Sequence, residues 1–262
     1  SGLALGYASR ELRADREIVD IAVKQNGITL EWASKELRAD PEIVAAAISE
    51  NGAALQHALG GHRSDRATVL AAVQDNAFAL GHASSELKTD REVVFAAVKA
   101  NGNALEIVSK TFRDDRAVVL AAVTQNGYAL QSASLELQND PEVAIAAVTQ
   151  NGISLLYVPW HLRWYNRAVV LAAVRQNPTA VGWTSPEMQD DPVIESWVLR
   201  WRPKRHWYGL ARWLKAKRIA EFWQEETAKR LYDKAPPLDL SFMADAEEEA
   251  VDEPAAKRAR VE

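Results

Sequence analysis

The sequence predicts an all-α solenoid of seven to eight 25-residue helix-turn-helix repeats, closed by a C-terminal capping helix. Aspartate recurs at a constant spacing, asparagine recurs eleven residues after it, and an apolar block lies between the two. The positions are Asp15, Asp40, Asp65, Asp90, Asp115 and Asp140, with Asn26, Asn51, Asn76, Asn101, Asn126 and Asn151. A short fixed period is typical of solenoids, in which each unit buries its apolar face only against its neighbours.

The register continues towards the C-terminus with one irregularity. One extra residue enters near "YVPWHLRWYN", so the next unit begins at Asn166, and a last one begins at Asp191. We therefore predict a repeat domain over residues 1–199.

The first helix of each unit is predicted to begin directly after the aspartate. Aspartate is a good N-cap, and the next residue is arginine or a proline such as Pro41, which suits the first helical position. In "VVLAAVTQ" the apolar residues Val118, Val119, Ala122 and Val123 lie on one side. The helix is predicted to end at Asn-Gly, with the glycine in the left-handed conformation. The glycine position is filled by Gly27, Gly52, Gly102, Gly127 and Gly152. Two units have no glycine there and carry Ala77 and Pro178 instead.

A second, shorter helix is predicted in the rest of each unit. In "GITLEWASKEL" the residues Leu30, Ala33 and Leu37 follow one another at helical spacings, and small Ala and Ser beside them permit close packing. The pattern therefore indicates a hairpin of two helices in every repeat.

The string "LGHASSELKTDREVVFAAVKANG", from Leu80 to Gly102, resembles the uncharacterised repeat family called domain of unknown function four-one-one-six. The resemblance covers roughly residues 2–195 and implies helical repeats with no established activity. The third unit departs from the pattern at Leu59, Gly60 and Gly61, and "VPWHLRWYN" departs again, so we expect altered helix geometry at both places. The chain begins with the second half of a unit, which predicts an open apolar face there.

Composition and motifs narrow the classes of function. The formal charge of −5 gives no global attraction to polyanions, and the chain contains no cysteine for disulfides or thiolate chemistry. No stretch is long and apolar enough for a membrane span, and the first residues do not form a signal peptide. We therefore expect an intracellular protein, nuclear or cytoplasmic. No catalytic motif is present, so neither an enzyme nor a cofactor is expected.

Two rows of residues vary while their neighbours stay fixed, which is where a solenoid displays recognition residues. The first variable row consists of Tyr7, Trp32, His57, His82, Ile107, Ser132 and Tyr157. The second variable row consists of Ile28, Ala53, Phe78, Asn103, Tyr128 and Ile153. Large aromatic side chains suit protein contacts, so Trp32, His57, His82, Phe78, Tyr128 and Tyr157 are the predicted partner-binding residues. A tolerant surface with no partner would vary in the same way.

Two further patterns, the repeated asparagines and a pair of histidines, could each be functional or purely structural. The repeated asparagines could touch a ligand, but their fixed register favours binding to backbone groups. His57 and His82 are equivalent residues, with His62 nearby, but no carboxylate or cysteine at ligand spacing accompanies them, so no metal is predicted.

A basic row could form a polyanion stripe, but helix-end charge pairing with Glu17, Glu42 and Glu92 is the favoured interpretation. The basic row consists of Arg13, Arg38, Arg63, Lys88, Arg113 and Arg163.

The C-terminal third has a different composition. Eight of the nine tryptophans follow residue 159, and residues 200–218 combine aromatic and basic residues without an acid. We predict a basic aromatic capping helix over residues 200–234 that seals the last repeat. The alternative is contact with a polyanion through Arg200, Arg202, Lys204, Arg205, Arg212 and Lys215.

Residues 235–262 are predicted to form a disordered acidic tail that ends in a basic cluster. The cluster, Lys257, Arg258 and Arg260 after Pro254, resembles a nuclear localisation signal and could bind importin, although a solvated charge run explains it equally.

The sequence as a whole favours a non-catalytic helical-repeat scaffold that binds a protein or peptide partner through the variable rows. The alternative is a nucleic-acid-binding repeat protein that uses the basic row and the segment at 200–218.

Overall fold

The computed structural model describes residues 2–200, which contain helices and turns and no strand. The repeating order of these elements confirms the all-α repeat solenoid. The described residues divide into two compact units, with the boundary between Val158 and Pro159. The boundary lies inside the predicted repeat domain 1–199, at the segment where the extra residue enters.

Three kinds of element recur in the first unit. A long α-helix of ten residues opens each repeat, a 3-10 helix follows, and a connecting turn of three to five helical residues closes the repeat. The long helices are Arg16–Gln25, Pro41–Glu50, Arg66–Asp75, Arg91–Ala100, Arg116–Gln125 and Pro141–Gln150. The 3-10 helices are Gly2–Tyr7, Gly27–Trp32, Gly52–His57, Ala77–His82, Gly102–Glu106, Gly127–Ser132 and Gly152–Tyr157. The connecting turns are Arg10–Ala14, Leu37–Ala39, His62–Ser64, Leu87–Thr89, Lys110–Arg113 and Leu135–Gln138.

The long helices begin and end where the sequence predicts. Asp90 caps Arg91–Ala100, because its carboxylate accepts hydrogen bonds from the backbone N–H groups of Glu92 and Val93 at 2.9 and 3.1 Å. Asn101 then ends the helix through its backbone N–H, and its side-chain oxygen accepts from the N–H of Asn103 at 3.0 Å. One asparagine therefore closes the α-helix and starts the 3-10 helix.

The second helix of the hairpin differs from the prediction. "GITLEWASKEL" forms a 3-10 helix and a separate turn, because Ala33 between them has an extended backbone with φ −66° and ψ 157°. Leu30, Ala33 and Leu37 are nevertheless all buried, at 0, 7 and 9% exposure. The apolar pattern identified the core correctly, and only the type of helix was wrong.

The prediction that the repeat glycines are left-handed is also wrong. Among residues 2–200, positive φ occurs only at Gly60 (69°) and Gly61 (90°), in the third unit where altered geometry was expected. Gly27 is required for a different reason, since a Cβ there would overlap the carbonyl oxygen of Ala47 in the next long helix. Glycine thus permits a close approach between repeats.

The core of the first unit takes equivalent residues from every repeat. A leucine from each 3-10 helix is at most 4% exposed, and each contributes roughly 1.5–3 kcal/mol through the apolar surface that it buries. These leucines are Leu5, Leu30, Leu55, Leu80, Leu105, Leu130 and Leu155.

The second unit contains the same kinds of element. Its helices are Trp160–Tyr165, Arg167–Gln176, the 3-10 helix Pro178–Trp183, Pro186–Gln189 and Pro192–Arg200. The extra residue lengthens Trp160–Tyr165 to six residues, compared with three to five in the connecting turns of the first unit. Altered helix geometry was expected at this place. Its core consists of Val170, Leu171, Val174, Val181 and Ile194.

Several predictions fall outside the described residues. They are the capping helix beyond Arg200, the tail at 235–262, the basic residues Arg202, Lys204, Arg205, Arg212 and Lys215, and the cluster Lys257, Arg258 and Arg260. Within residues 2–200, no helix has the length and apolar character needed to cross a membrane.

Candidate functional site

The 3-10 helices bring both variable rows to the surface. A 3-10 helix has three residues per turn, so residues three apart lie above one another. In Gly27–Trp32 the central Thr29 and Leu30 are completely buried, while Ile28 and Trp32 are partly exposed. From Gly27–Trp32 to Gly152–Tyr157, the second position of each 3-10 helix therefore supplies the second variable row. The sixth position supplies the first variable row, except that Ile107 directly follows the five-residue helix Gly102–Glu106.

A third outward row was missed at the sequence level. Glu31 lies three residues after Ile28, so the two share one face of the 3-10 helix. The equivalent residues form the third variable row, Glu31, Gln56, Gly81, Glu106, Gln131 and Leu156. The signal that could have found this row is the spacing of three, which an α-helical interpretation of the segment hides.

The rows contact one another across neighbouring repeats. The rings of Tyr128 and Tyr157, which belong to consecutive 3-10 helices, meet edge to face with centroids 5.9 Å apart and planes at 82°. At the start of the chain, a Cβ on Gly6 would lie 3.0 Å from the ring of Trp32, so that ring packs over the preceding 3-10 helix. Residues from the first and second variable rows thus form a shared surface.

Large apolar side chains on this surface stay accessible to solvent. Tyr7 is 96% exposed, Phe78 42%, Ile107 41% and Leu156 42%. Of the predicted partner-binding residues, His82 and Phe78 are exposed, and Trp32, His57, Tyr128 and Tyr157 are half-buried. Half-buried aromatic rings beside exposed ones are suitable anchors for a partner.

The two histidines of the first variable row both have a lowered pKa. Burial lowers the pKa of His57, the Glu31 carboxylate opposes this shift, and Arg38 and His82 add to it. Burial also lowers the pKa of His82, as do the charges of Arg63 and Lys88. In the described part of the chain, no three His, Cys, Asp or Glu side chains are grouped to hold a metal ion.

Three residues of the basic row bind backbone carbonyls at the ends of 3-10 helices. Arg13 donates to the carbonyl oxygens of Gly6 and Ala8 at 2.6 and 3.1 Å, and Arg38 donates to that of His57 at 2.7 Å. The half-buried Arg63 likewise donates to Gln56. These cations stabilise the negative ends of the 3-10 helices that they contact, so the donors that make these bonds are not directed at an external polyanion.

The predicted pairing of the basic row with nearby glutamates is therefore wrong. Glu42 pairs with Arg16, at the start of the preceding long helix, and Glu92 and Glu142 pair in the same way with Arg66 and Arg116. These arginines, together with Arg91, also reach the capping aspartates of the next repeat. These contacts are Arg16–Asp40 at 3.5 Å and Arg66–Asp90, Arg91–Asp115 and Arg116–Asp140 at 3.0 Å each. We call this set the arginine–aspartate ladder.

The apolar face expected at the start of the chain is present. Leu12, Ile18 and Ile21 are 43, 38 and 59% exposed and line a groove of about 430 Å³ with Leu5 and Tyr7. The apolar equivalents of Ile18 in later repeats, such as Val93, are buried because a preceding long helix covers them. The groove is therefore the uncovered counterpart of an inter-repeat interface.

A stack of such units, each packed only on its neighbours, defines a helical-repeat protein. More particularly, the chain belongs to the family described as a domain of unknown function (DUF4116), which matches residues 1–38, 40–88, 65–113 and 115–163, more than half of its length. No curated protein and no solved structure matches the chain.

Proposed function

We propose that the protein is a non-catalytic scaffold that binds a protein or peptide partner through the three variable rows. The observation that carries this proposal is the contact between Tyr128 and Tyr157, which joins the rows of consecutive repeats into one aromatic surface. A partner lying across several repeats would contact one set of outward side chains from each 3-10 helix.

The chemistry of the rows supports a polypeptide partner. Phe78 and Ile107 expose apolar surface, while Gln56, Glu106 and Gln131 supply polar groups beside it. Such a mixture of aromatic anchors and a polar surround is typical of protein interfaces. Nucleic-acid binding has less support, because Arg13, Arg38 and Arg63 of the basic row already bind backbone carbonyls.

The proposal is tested by selecting ligands from a random displayed-peptide library against the full chain. Each selected peptide is then synthesised, and its Kd for the chain is measured by fluorescence anisotropy. We expect peptides with apolar anchors to be recovered and to compete with one another for the same surface.

A double variant on the variable rows and a single control variant on a long helix locate the binding surface. Phe78→Ser combined with Ile107→Ser removes apolar surface from the rows, and we expect it to weaken binding about tenfold or more. Ile21→Ser is the control, because Ile21 lies on a long helix and is 59% exposed. Equal weakening by both variants, or failure to recover any peptide, would count against the proposal.

A further inference from the structure

The repeat pattern places Asn-Gly pairs at five of its helix junctions, and these pairs are chemically reactive. They are Asn26-Gly27, Asn51-Gly52, Asn101-Gly102, Asn126-Gly127 and Asn151-Gly152. Asparagine is thermolabile, and a following glycine offers no side chain to hinder attack by its own backbone nitrogen. We propose that Asn26 is a site of spontaneous deamidation and that the contacts between repeats protect Asn51, Asn101 and Asn126 from it.

The reaction needs only water as a co-reactant. The backbone nitrogen of the glycine attacks the side-chain carbon Cγ of the asparagine, forming a C–N bond, and the side-chain nitrogen leaves as ammonia. The resulting succinimide ring is opened by one water molecule at either of its two carbonyl carbons. One opening gives aspartate, and the other gives isoaspartate, which has an additional methylene in the backbone.

The next repeat holds the attacking nitrogen in three of the pairs. The N–H of Gly52 donates to the carboxylate of Asp75 at 2.7 Å, and those of Gly102 and Gly127 donate to the amide oxygens of Gln125 and Gln150 at 2.6 Å. Each acceptor is the last residue of the following long helix. A nitrogen held in this way has to break a hydrogen bond before it can turn towards Cγ.

Gly27 is not protected in this way. The residue equivalent to Gln125 is Glu50, but within residues 2–200 neither its carboxylate nor any other side chain or carbonyl accepts a hydrogen bond from the Gly27 N–H. The remaining restraints on the pair are the bond from the Ile28 N–H to the Asn26 side-chain oxygen, at 3.2 Å, and the bonds from the Thr29 N–H and hydroxyl to the Asn26 backbone carbonyl, at 3.0 and 2.7 Å.

Asn126 has the largest number of restraints. Its side-chain oxygen accepts from the N–H of Tyr128 at 3.1 Å, and its side-chain nitrogen donates to Asn103 at 2.9 Å. Counting only bonds to the two reacting groups, the asparagine side chain and the glycine nitrogen, Asn126 has three restraints with the Gly127 bond, Asn101 has two and Asn26 has one. The rates of deamidation should therefore fall in the order Asn26, then Asn51 and Asn101, then Asn126.

The experiment follows deamidation in the intact, folded chain. The protein is incubated at 37 °C in mildly alkaline buffer, digested with trypsin at intervals, and the converted fraction at each asparagine is measured by mass spectrometry with fragment-ion assignment. We expect Asn26 to convert roughly threefold to tenfold faster than Asn101, the ratio that one hydrogen bond can produce. In guanidinium chloride the four rates should converge, because the protecting contacts are lost.

Two variants at exposed positions each remove one protecting acceptor. Gln150→Ala removes the acceptor for Gly127, so we expect Asn126 to accelerate to about the rate of Asn101. Gln125→Ala removes the acceptor for Gly102, so Asn101 should accelerate towards the rate of Asn26. Thermal melting of both variants establishes that they are folded. Equal rates at Asn26 and Asn101 in the folded chain, or rates that neither substitution changes, would overturn the proposal.

Discussion

At the scale of single residues, the glycines show how closely the repeats approach one another. A Cβ at Gly102 would overlap the carbonyl oxygen of Ala122 in the next long helix, whereas a Cβ at Gly81 would meet only the Cδ1 atom of Ile107 at 4.0 Å. Both residues belong to 3-10 helices, and neither has a positive φ. The two positions therefore differ in packing and not in backbone conformation.

This contrast predicts opposite effects of the same substitution. We expect Gly102→Ala to lower the free energy of unfolding by about 1–3 kcal/mol, because the added methyl group overpacks the interface. Gly81→Ala should be neutral or should stabilise the fold by about 0.4–1 kcal/mol, because it restricts the unfolded chain. Urea denaturation measures both values, and equal losses would show that the approach to Ala122 is not the cause.

At the scale of elements, the aspartate before each long helix combines two interactions. The carboxylate of Asp90 accepts from the backbone N–H groups of Glu92 and Val93, and it also accepts from Arg66 Nε at 3.0 Å. The first interaction caps its own helix, and the second connects it to the helix of the preceding repeat. A single side chain thus links local structure to the contact between repeats.

Two substitutions separate these roles. Asp90→Asn keeps a capping oxygen and loses the charge, so we expect a loss of less than about 1 kcal/mol, as is usual for exposed ion pairs. Asp90→Ala loses the cap as well, which should cost about 1 kcal/mol more. Urea denaturation of both variants at low ionic strength measures the difference, and identical losses would mean that the cap contributes little.

The elements also show which features the sequence could predict. Asp90 and Asn101 act on residues two or three positions away, so their roles follow from local rules of helix capping. The reason for Gly27 was not predictable in this way, because it depends on a carbonyl oxygen in the next repeat. Arg38 likewise binds a carbonyl nineteen residues further along the chain, which no local pattern indicates.

The candidate surface was predicted in part for the same reason. Trp32 and Phe78 were identifiable because they vary against a fixed frame, and the structure places both on 3-10 helices. The row containing Glu31 was missed because its alignment with Ile28 exists only in a helix with three residues per turn. The choice between an α-helix and a 3-10 helix depends on the extended backbone at Ala33.

At the scale of the whole molecule, the arginine–aspartate ladder makes stability depend on pH. Hydrogen bonds from the backbone lower the pKa of Asp40, and Arg66 is the main cause of the lowered pKa of Asp90. Burial raises the pKa of Asp140, but the hydrogen bond from Arg116 and those from the backbone outweigh it and lower the pKa overall. Each of these carboxylates is therefore more acidic in the folded chain than the ordinary value of 3.8.

These shifts predict progressive loss of stability in acid. Because the folded pKa values lie below the unfolded ones, the stabilisation is fully present above about pH 5 and is lost as the pH falls through the folded values. We expect the urea midpoint to fall steadily below about pH 4, and to fall less steeply for Asp90→Asn, which has no carboxylate to protonate. If both proteins gave parallel curves, the acid sensitivity would have another origin.

The constant geometry of the contacts between repeats also affects how the chain can change in length. Arg66 pairs with Asp90 and Arg91 pairs with Asp115, and both pairs are separated by 24 residues. Gly27 likewise packs against Ala47 as Gly102 packs against Ala122. Duplication or deletion of one complete period in the gene would therefore give every new neighbour an interface that already works. An insertion of any other size has to be absorbed within one element, as the lengthened helix Trp160–Tyr165 shows.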